Sequence, residues 1–247
     1  MSARISIPTL LSTLRTSQAT SPALVWYGPE AERIELSGRV LDNWVAKTSN
    51  LLVEELDAEP GVRVRLDLPA HWKTLVWALA AWQTGCTVVL GDSVEEPGAD
   101  VTVTASQDVL DASSGTVVAV AQGAMELRWT GGLPAGAVDF AAEVRSFADT
   151  FMPDQSAEED FTALFSPAGP GADGALALTY GALAELTAAE AAGAQTLLVP
   201  ALPDLPAVLT AALRTWAAGG TVVLTAPEVE ITERLLAAER VTARLAG

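Results

Sequence analysis

Apolar positions recur along the chain with two periods. A period near 3.6 predicts helices over 7–16, 71–84, 179–192 and 231–238, and a stripe of Leu41, Trp44, Val45, Thr48, Leu52 and Leu56 predicts another, with Ser37 as its N-cap and Pro60-Gly61 beyond its end. A period of two appears where Val62, Val64, Leu66 and Leu68 alternate with Arg63, Arg65 and Asp67, which predicts a half-buried strand stopped by Pro69. Residues 71–84 are apolar almost all round, so this helix belongs in the interior, with Gly85 placed to close it and a buried strand at 86–90. A hairpin is expected over 23–27 and 33–36, turning through Gly28, Pro29 and Glu30.

The middle of the chain predicts strands at 100–104 and 116–120 around a short helix at 107–111, then a loop marked by Gly131, Gly132, Pro134 and Gly136, and a helix at 140–147. Strands follow at 161–165, 175–178, 196–199, 221–224 and 241–245. Asp204 caps a helix whose Leu209, Ala212, Leu213 and Trp216 share one face before Gly219-Gly220. Strand and helix alternate throughout, the signature of an α/β protein with parallel-rich sheets. The Pro/Asp/Ser/Glu-rich stretch 152–160 suggests a division into a first lobe, 1–155, and a second, 156–247.

Composition narrows the function. The 31 acidic residues against 14 basic ones give a net charge of −17 without a basic cluster, which argues against nucleic acid or an anionic membrane as partner. No apolar run reaches the roughly 18 residues that a membrane span needs, and the N-terminal stretch lacks the unbroken apolar segment of a secretory signal. One cysteine makes no internal disulfide, so a cytoplasmic location is expected. One histidine, His71, leaves little room for imidazole chemistry or a histidine-based metal site, and no metal ligand is assigned. His71 sits at a helix start, where capping or a solvent-facing position is the ordinary role, and Cys86 reads as a buried, inert thiol. Trp44, Trp72, Trp77 and Trp82 read as helix packing, and Glu54-Glu55, Glu95-Glu96 and Glu158-Glu159-Asp160 as solvated charges.

Several segments together resemble the N-terminal part of the adenylate-forming superfamily, which includes AMP-dependent acyl-CoA synthetases and adenylation domains. They are Leu36-Ser-Gly-Arg-Val-Leu41, Gly61-Val-Arg-Val64, Leu68-Pro69 before Trp72, Gly85-Cys-Thr-Val-Val-Leu90, Thr196-Leu-Leu-Val-Pro200 and Ala217-Ala-Gly-Gly-Thr-Val-Val-Leu224. The set is also similar to a group of short actinobacterial relatives. The resemblance implies an α/β fold and places the phosphate-loop equivalent at Phe165-Ser-Pro-Ala-Gly-Pro-Gly-Ala-Asp-Gly-Ala175, followed by a strand and Thr179 at the helix start. It makes Ser166, Gly169, Gly171, Gly174 and Thr179 the candidate nucleotide- or ligand-binding residues.

The loop departs from the superfamily pattern. Polyphosphate binding calls for backbone N–H groups, hydroxyls and a cation, whereas Pro167 and Pro170 remove two N–H groups, the lysine position falls on Ala172 or Gly174, and Asp173 adds a negative charge. The superfamily's later Tyr-Gly-x-Thr-Glu segment, ribose-binding Asp and catalytic Lys have no counterpart in the sequence, and no catalytic residue is assigned. The expectation is a degenerate, non-catalytic relative that keeps a nucleotide or acyl pocket, with ATP or AMP and magnesium relevant only where that pocket survives. Two alternatives stand beside it: half of a split ligase of the AMP-forming acid–thiol type completed by another chain, and a ligand-free protein-interaction or homo-oligomerisation module.

Overall fold

A computed structural model describes residues 6–91, 98–113, 115–124, 126–152, 157–167, 175–187, 193–200 and 204–246. Contacts group the chain into two compact units, one of Met1–Asp42, Pro69–Leu75 and Ala182–Gly247, the other of Asn43–Leu68 and Val76–Gly181. Both are discontinuous in sequence, so this grouping is not the single cut near residue 155 that the linker composition suggested. The physical reason lies in strand pairing, because the first strand of the chain pairs with one near its end.

The first unit holds a five-stranded sheet. Its strands are β1 (Pro22–Tyr27), β2 (Arg33–Ser37), β10 (Thr196–Val199), β11 (Thr221–Thr225) and β12 (Ala243–Arg244), in the order β12-β10-β11-β1-β2. All neighbours run parallel except the β1–β2 hairpin, in which Val25 faces Glu35 and Trp26 faces Ile34. Ala23, Leu24, Val25 and Trp26 are all buried, as a strand covered on both faces requires, whereas β2 alternates and lies at the edge. Helix α1 (Ile7–Thr16) starts where the Ser6 hydroxyl accepts from Thr9 N and buries Ile7, Leu10, Leu11 and Leu14. Helix α7 (Leu205–Ala217) is capped by Asp204, as predicted, and its buried Trp216 donates Nε1–H to Ala23 O at 2.8 Å.

The second unit holds a seven-stranded sheet. Its strands are β3 (Arg63–Asp67), β4 (Thr87–Leu90), β5 (Val101–Thr104), β6 (Thr116–Ala119), β7 (Val138–Asp139), β8 (Thr162–Ser166) and β9 (Leu176–Thr179), in the order β7-β6-β5-β3-β4-β8-β9. Only the β8–β9 hairpin is antiparallel. Two long-range bonds seat β8 beside β4: Thr87 Oγ1 donates to Thr162 O at 2.6 Å, and Trp82 Nε1 to Ala163 O at 2.8 Å. Phe140 lies 5.0 Å from Trp77 and 6.5 Å from Trp44 between ring centroids, so the tryptophans serve packing as expected.

The remaining helices are α2 (Gly38–Glu54), α3 (Trp72–Gln83), α4 (Gln107–Ala112), α5 (Phe140–Glu143), α6 (Tyr180–Leu186) and α8 (Glu233–Ala238). Ser37 Oγ accepts from Val40 N at 3.4 Å at the start of α2, the expected cap. Trp72, Leu75, Val76, Trp77, Leu79 and Trp82 of α3 are buried, and Gly85 follows with φ +82°, a backbone conformation that closes the helix and that an L side chain rarely adopts. The expected helix at 140–147 is a short α-helix continued by a 3₁₀ turn, Val144–Ser146, and two-residue strand β7 precedes it. Helix α6 covers 180–186 of the helix expected at 179–192, of which 188–192 lie outside the described residues. Among the described residues, no helix is long and apolar enough to cross a membrane.

Candidate functional site

The candidate loop leaves the sheet at the carboxyl end of β8. Ser166, the last residue of β8, faces Leu176, the first of β9, with residues 167–175 between them in the sequence, of which 168–174 lie outside the described residues. Parallel β4 ends beside it at Leu90, and Gly91 turns away with φ +81°; a Cβ there would lie 3.3 Å from the Pro167 ring, so the glycine lets the chain pass close to the start of the loop. Carboxyl ends of parallel strands are the usual ligand-binding rim of open α/β sheets.

The structure spreads the candidate residues. Ser166 is at the rim but only 4% exposed, so a lysine introduced there would bury its charge. Gly169, Gly171 and Gly174 lie outside the described residues. Thr179 is not at the rim: it faces Thr162 at the opposite end of the hairpin, about 10 Å along β9 from Leu176 at roughly 3.4 Å per residue. Antiparallel pairing causes the separation, since each residue further from the loop on β9 moves away from Ser166.

His71 precedes α3 and caps it, its Nδ1 accepting from Lys73 N at 3.2 Å. The capping reading holds, but the ring is not solvent-facing: it is 2% exposed and stands edge-on to Trp26 at 4.5 Å. Burial first, and the Lys73 charge second, push its pKa down to about 3, so the imidazole is neutral at physiological pH. A neutral ring whose Nδ1 is already engaged is poorly suited to transfer protons near pH 7.

Cys86 is buried at the start of β4, and burial pushes its thiol up to about 11. Its carbonyl accepts from Tyr180 Oη at 2.7 Å, and burial raises that phenol far above its ordinary value. The inert-thiol expectation therefore agrees with its surroundings. Glu54, Glu55, Glu158, Glu159 and Asp160 are exposed, as expected, whereas Glu95 and Glu96 lie outside the described residues.

Lys73, the one charged residue within α3 and not among the sequence candidates, is 5% exposed with its Nζ 5.4 Å from the Trp72 ring centroid. A lone charge inside an apolar helix was the signal available for it. Among the described residues no group of three or more His, Cys, Asp and Glu stands ready to hold a metal ion. The donor set of loop 166–175 likewise fits a magnesium triphosphate poorly, with one hydroxyl, one acid and no cation.

Comparison with known proteins defines the class of fold. A Brucella canis acyl-CoA synthetase superposes with a TM-score of 0.73 at 17% identity, over 97% of this chain and 47% of that one. A Mycobacterium tuberculosis fatty acyl CoA synthetase gives 0.71 at 17% identity, over 97% and 48%. The N-terminal domain of FACL13 from the same organism gives 0.69 at 17% identity, over 97% and 62%. The chain thus has the α/β fold of acyl-CoA synthetase N-terminal domains, and it spans about half the length of the two full synthetases. In sequence it is similar to a Mycobacterium tuberculosis protein called a TIGR03089 family protein, 34% identical over 155 residues that make up 60% of this chain and 62% of that one. No protein-family model matches the chain.

Proposed function

We propose that this chain is a non-catalytic relative of acyl-CoA synthetase N-terminal domains whose remaining activity is to bind an acyl group or a mononucleotide at the carboxyl end of β8. The observation that carries the reading is the composition of the loop held there. From Ser166 to Thr179 the sequence has no Lys or Arg, while Pro167 and Pro170 lack N–H groups and Asp173 is acidic. A triphosphate brings several negative charges that must be matched once they leave water, and this loop offers none of the matching charge. An uncharged acyl chain makes no such demand, and an AMP-like group makes a smaller one, which glycine N–H groups at 169, 171 and 174 would meet. The neutral, engaged His71 and the buried Cys86 supply neither a general base nor a nucleophile.

Thermal unfolding of the purified chain with AMP, coenzyme A, a non-hydrolysable acyl-adenylate mimic, and ATP with magnesium tests the reading. Saturable stabilisation by the acyl-adenylate mimic or AMP, without any by magnesium ATP, is the expected pattern, because a ligand that binds only the native state raises the midpoint by mass action. A flat response to all four, or a shift with magnesium ATP as large as with the mimic, overturns it.

A further inference from the structure

The last part of the first unit is built unlike the rest of it. Between Pro227 and Ala246 only Leu235 is fully buried, at 8% exposure, although the segment crosses one face of the sheet. Leu235 packs on Val25, Leu198 and Val223, with half-buried Val229, Ile231, Leu236 and Val241 around it. Two short elements make up the segment, six-residue α8 and two-residue β12. Beyond the two-residue pairing, β12 is tied to β10 by Thr242 N donating to Thr196 O at 3.0 Å, Leu245 N to Leu198 O at 2.8 Å and Thr196 N to Thr242 Oγ1 at 3.0 Å.

One polar clasp secures the segment at its middle. Glu239, at the end of α8, is 10% exposed at its side chain and accepts from Arg33 Nε at 3.0 Å, Arg33 Nη2 at 3.2 Å and the Tyr27 hydroxyl. These partners stand on β1 and β2, more than 200 residues earlier in the chain. Arg33 also holds Glu35 at 2.7 Å, so the cation keeps a partner when Glu239 leaves.

We infer that residues 227–246 form a strap that opens as a unit while the sheet beneath stays folded, and that the Glu239–Arg33–Tyr27 clasp sets how often it opens. Segments with few buried apolar side chains and short elements open locally at much smaller cost than the global transition. The strands beneath are the opposite case, since Leu24, Val25, Val222, Val223 and Leu224 are all at most 1% exposed. Opening bares two things at once, the outer backbone edge of β10 and the apolar patch under Leu235. A bared strand edge is a template for pairing with another strand, so the strap acts as a cover for that edge.

Hydrogen exchange at individual amides of the full chain tests the inference. In the wild type, the amides of Leu236, Glu239, Thr242 and Leu245 are expected to share one protection level about a hundredfold below that of Val223 and Leu224, with little dependence on low urea. Glu239→Ala is expected to lower the strap protection about tenfold further, leaving Val223 and Leu224 within about twofold, because it removes a nearly buried carboxylate from a half-exposed arginine. Leu235→Ala, at the other anchor, is expected to give the same pattern. Equal protection of strap and β11 amides in the wild type overturns the inference, whether or not either variant folds. Equal acceleration of both groups in the two variants overturns it too.

Discussion

Replacing His71 with asparagine separates its two properties, capping and titration. Asparagine is a good N-cap, and its Oδ1 lies where Nδ1 now accepts from Lys73 N at 3.2 Å, so α3 keeps its first bond. What disappears is a buried base whose pKa, pushed down to about 3 by burial and by Lys73, returns to about 6.5 on unfolding. A base depressed in the folded state binds its proton preferentially in the unfolded chain below pH 6.5, so the stability present above that pH is lost as the pH falls towards 3. Between pH 7.5 and pH 5 the wild type should lose about 2 kcal/mol through this residue alone, at roughly 1.4 kcal/mol per pH unit once the unfolded imidazole is protonated. Urea unfolding of both proteins at pH 7.5, 6 and 5 reads the effect as a difference, in which the titration of the many carboxylates cancels. The asparagine variant should gain on the wild type by about 2 kcal/mol across that interval. A difference that stays constant to within about 0.3 kcal/mol would show that the ring is hydrated or charged in the folded protein, and the reasoning would fail.

Two further outcomes follow from buried groups. Asp42 Oδ2 has no hydrogen-bond partner among the described residues, stands 3.6 Å from Arg15 Nη1, and has its carboxyl pKa raised by burial despite that arginine. A carboxyl raised on folding costs stability as the pH rises through its titration, so Asp42→Asn should stabilise the protein by about 1 kcal/mol at pH 7 and by nothing near pH 3, measured by urea unfolding. The Cys86 thiol, pushed up to about 11 and buried, should react with iodoacetamide at pH 8 at least about a hundredfold more slowly in the native protein than in denaturant, as followed by mass spectrometry.

How much of this was legible in the sequence depends on how local each feature is. The alternation of Val64 and Leu66 with Arg63, Arg65 and Asp67, and the unbroken apolar helix ahead of Gly85, are local patterns, and β3 and α3 follow them. The composition of Ser166–Gly174 is equally local, because proline, glycine and the missing cation are readable residue by residue, although 168–174 lie outside the described residues. Strand order was not, since the place of β8 beside β4 depends on Thr87 and Trp82 bonding to carbonyls some 75 to 81 residues away. Two-residue β7 and β12 exist only because β6 and β10 offer an edge, so no periodicity marks them. Thr179 was placed with Ser166 by its position in a motif, and only the hairpin register reveals that the two stand at opposite ends. The contact grouping, with both units discontinuous in sequence, was not legible for the same reason, because pairing of β1 with β11 brings segments far apart in the chain into one sheet.

Acid-dependent exchange of labelled pyrophosphate into ATP, with magnesium and a panel of fatty and aryl carboxylic acids, reads directly whether the chain adenylates an acid. Loss of a single preorganised donor typically costs about 10² to 10³ in rate, and this loop lacks the cation, several hydroxyls and two N–H groups together. No exchange above the protein-free control is expected for any acid, alongside saturable binding of the acyl-adenylate mimic or AMP. Saturable exchange that depends on one class of acid would contradict it and make the chain an adenylating enzyme.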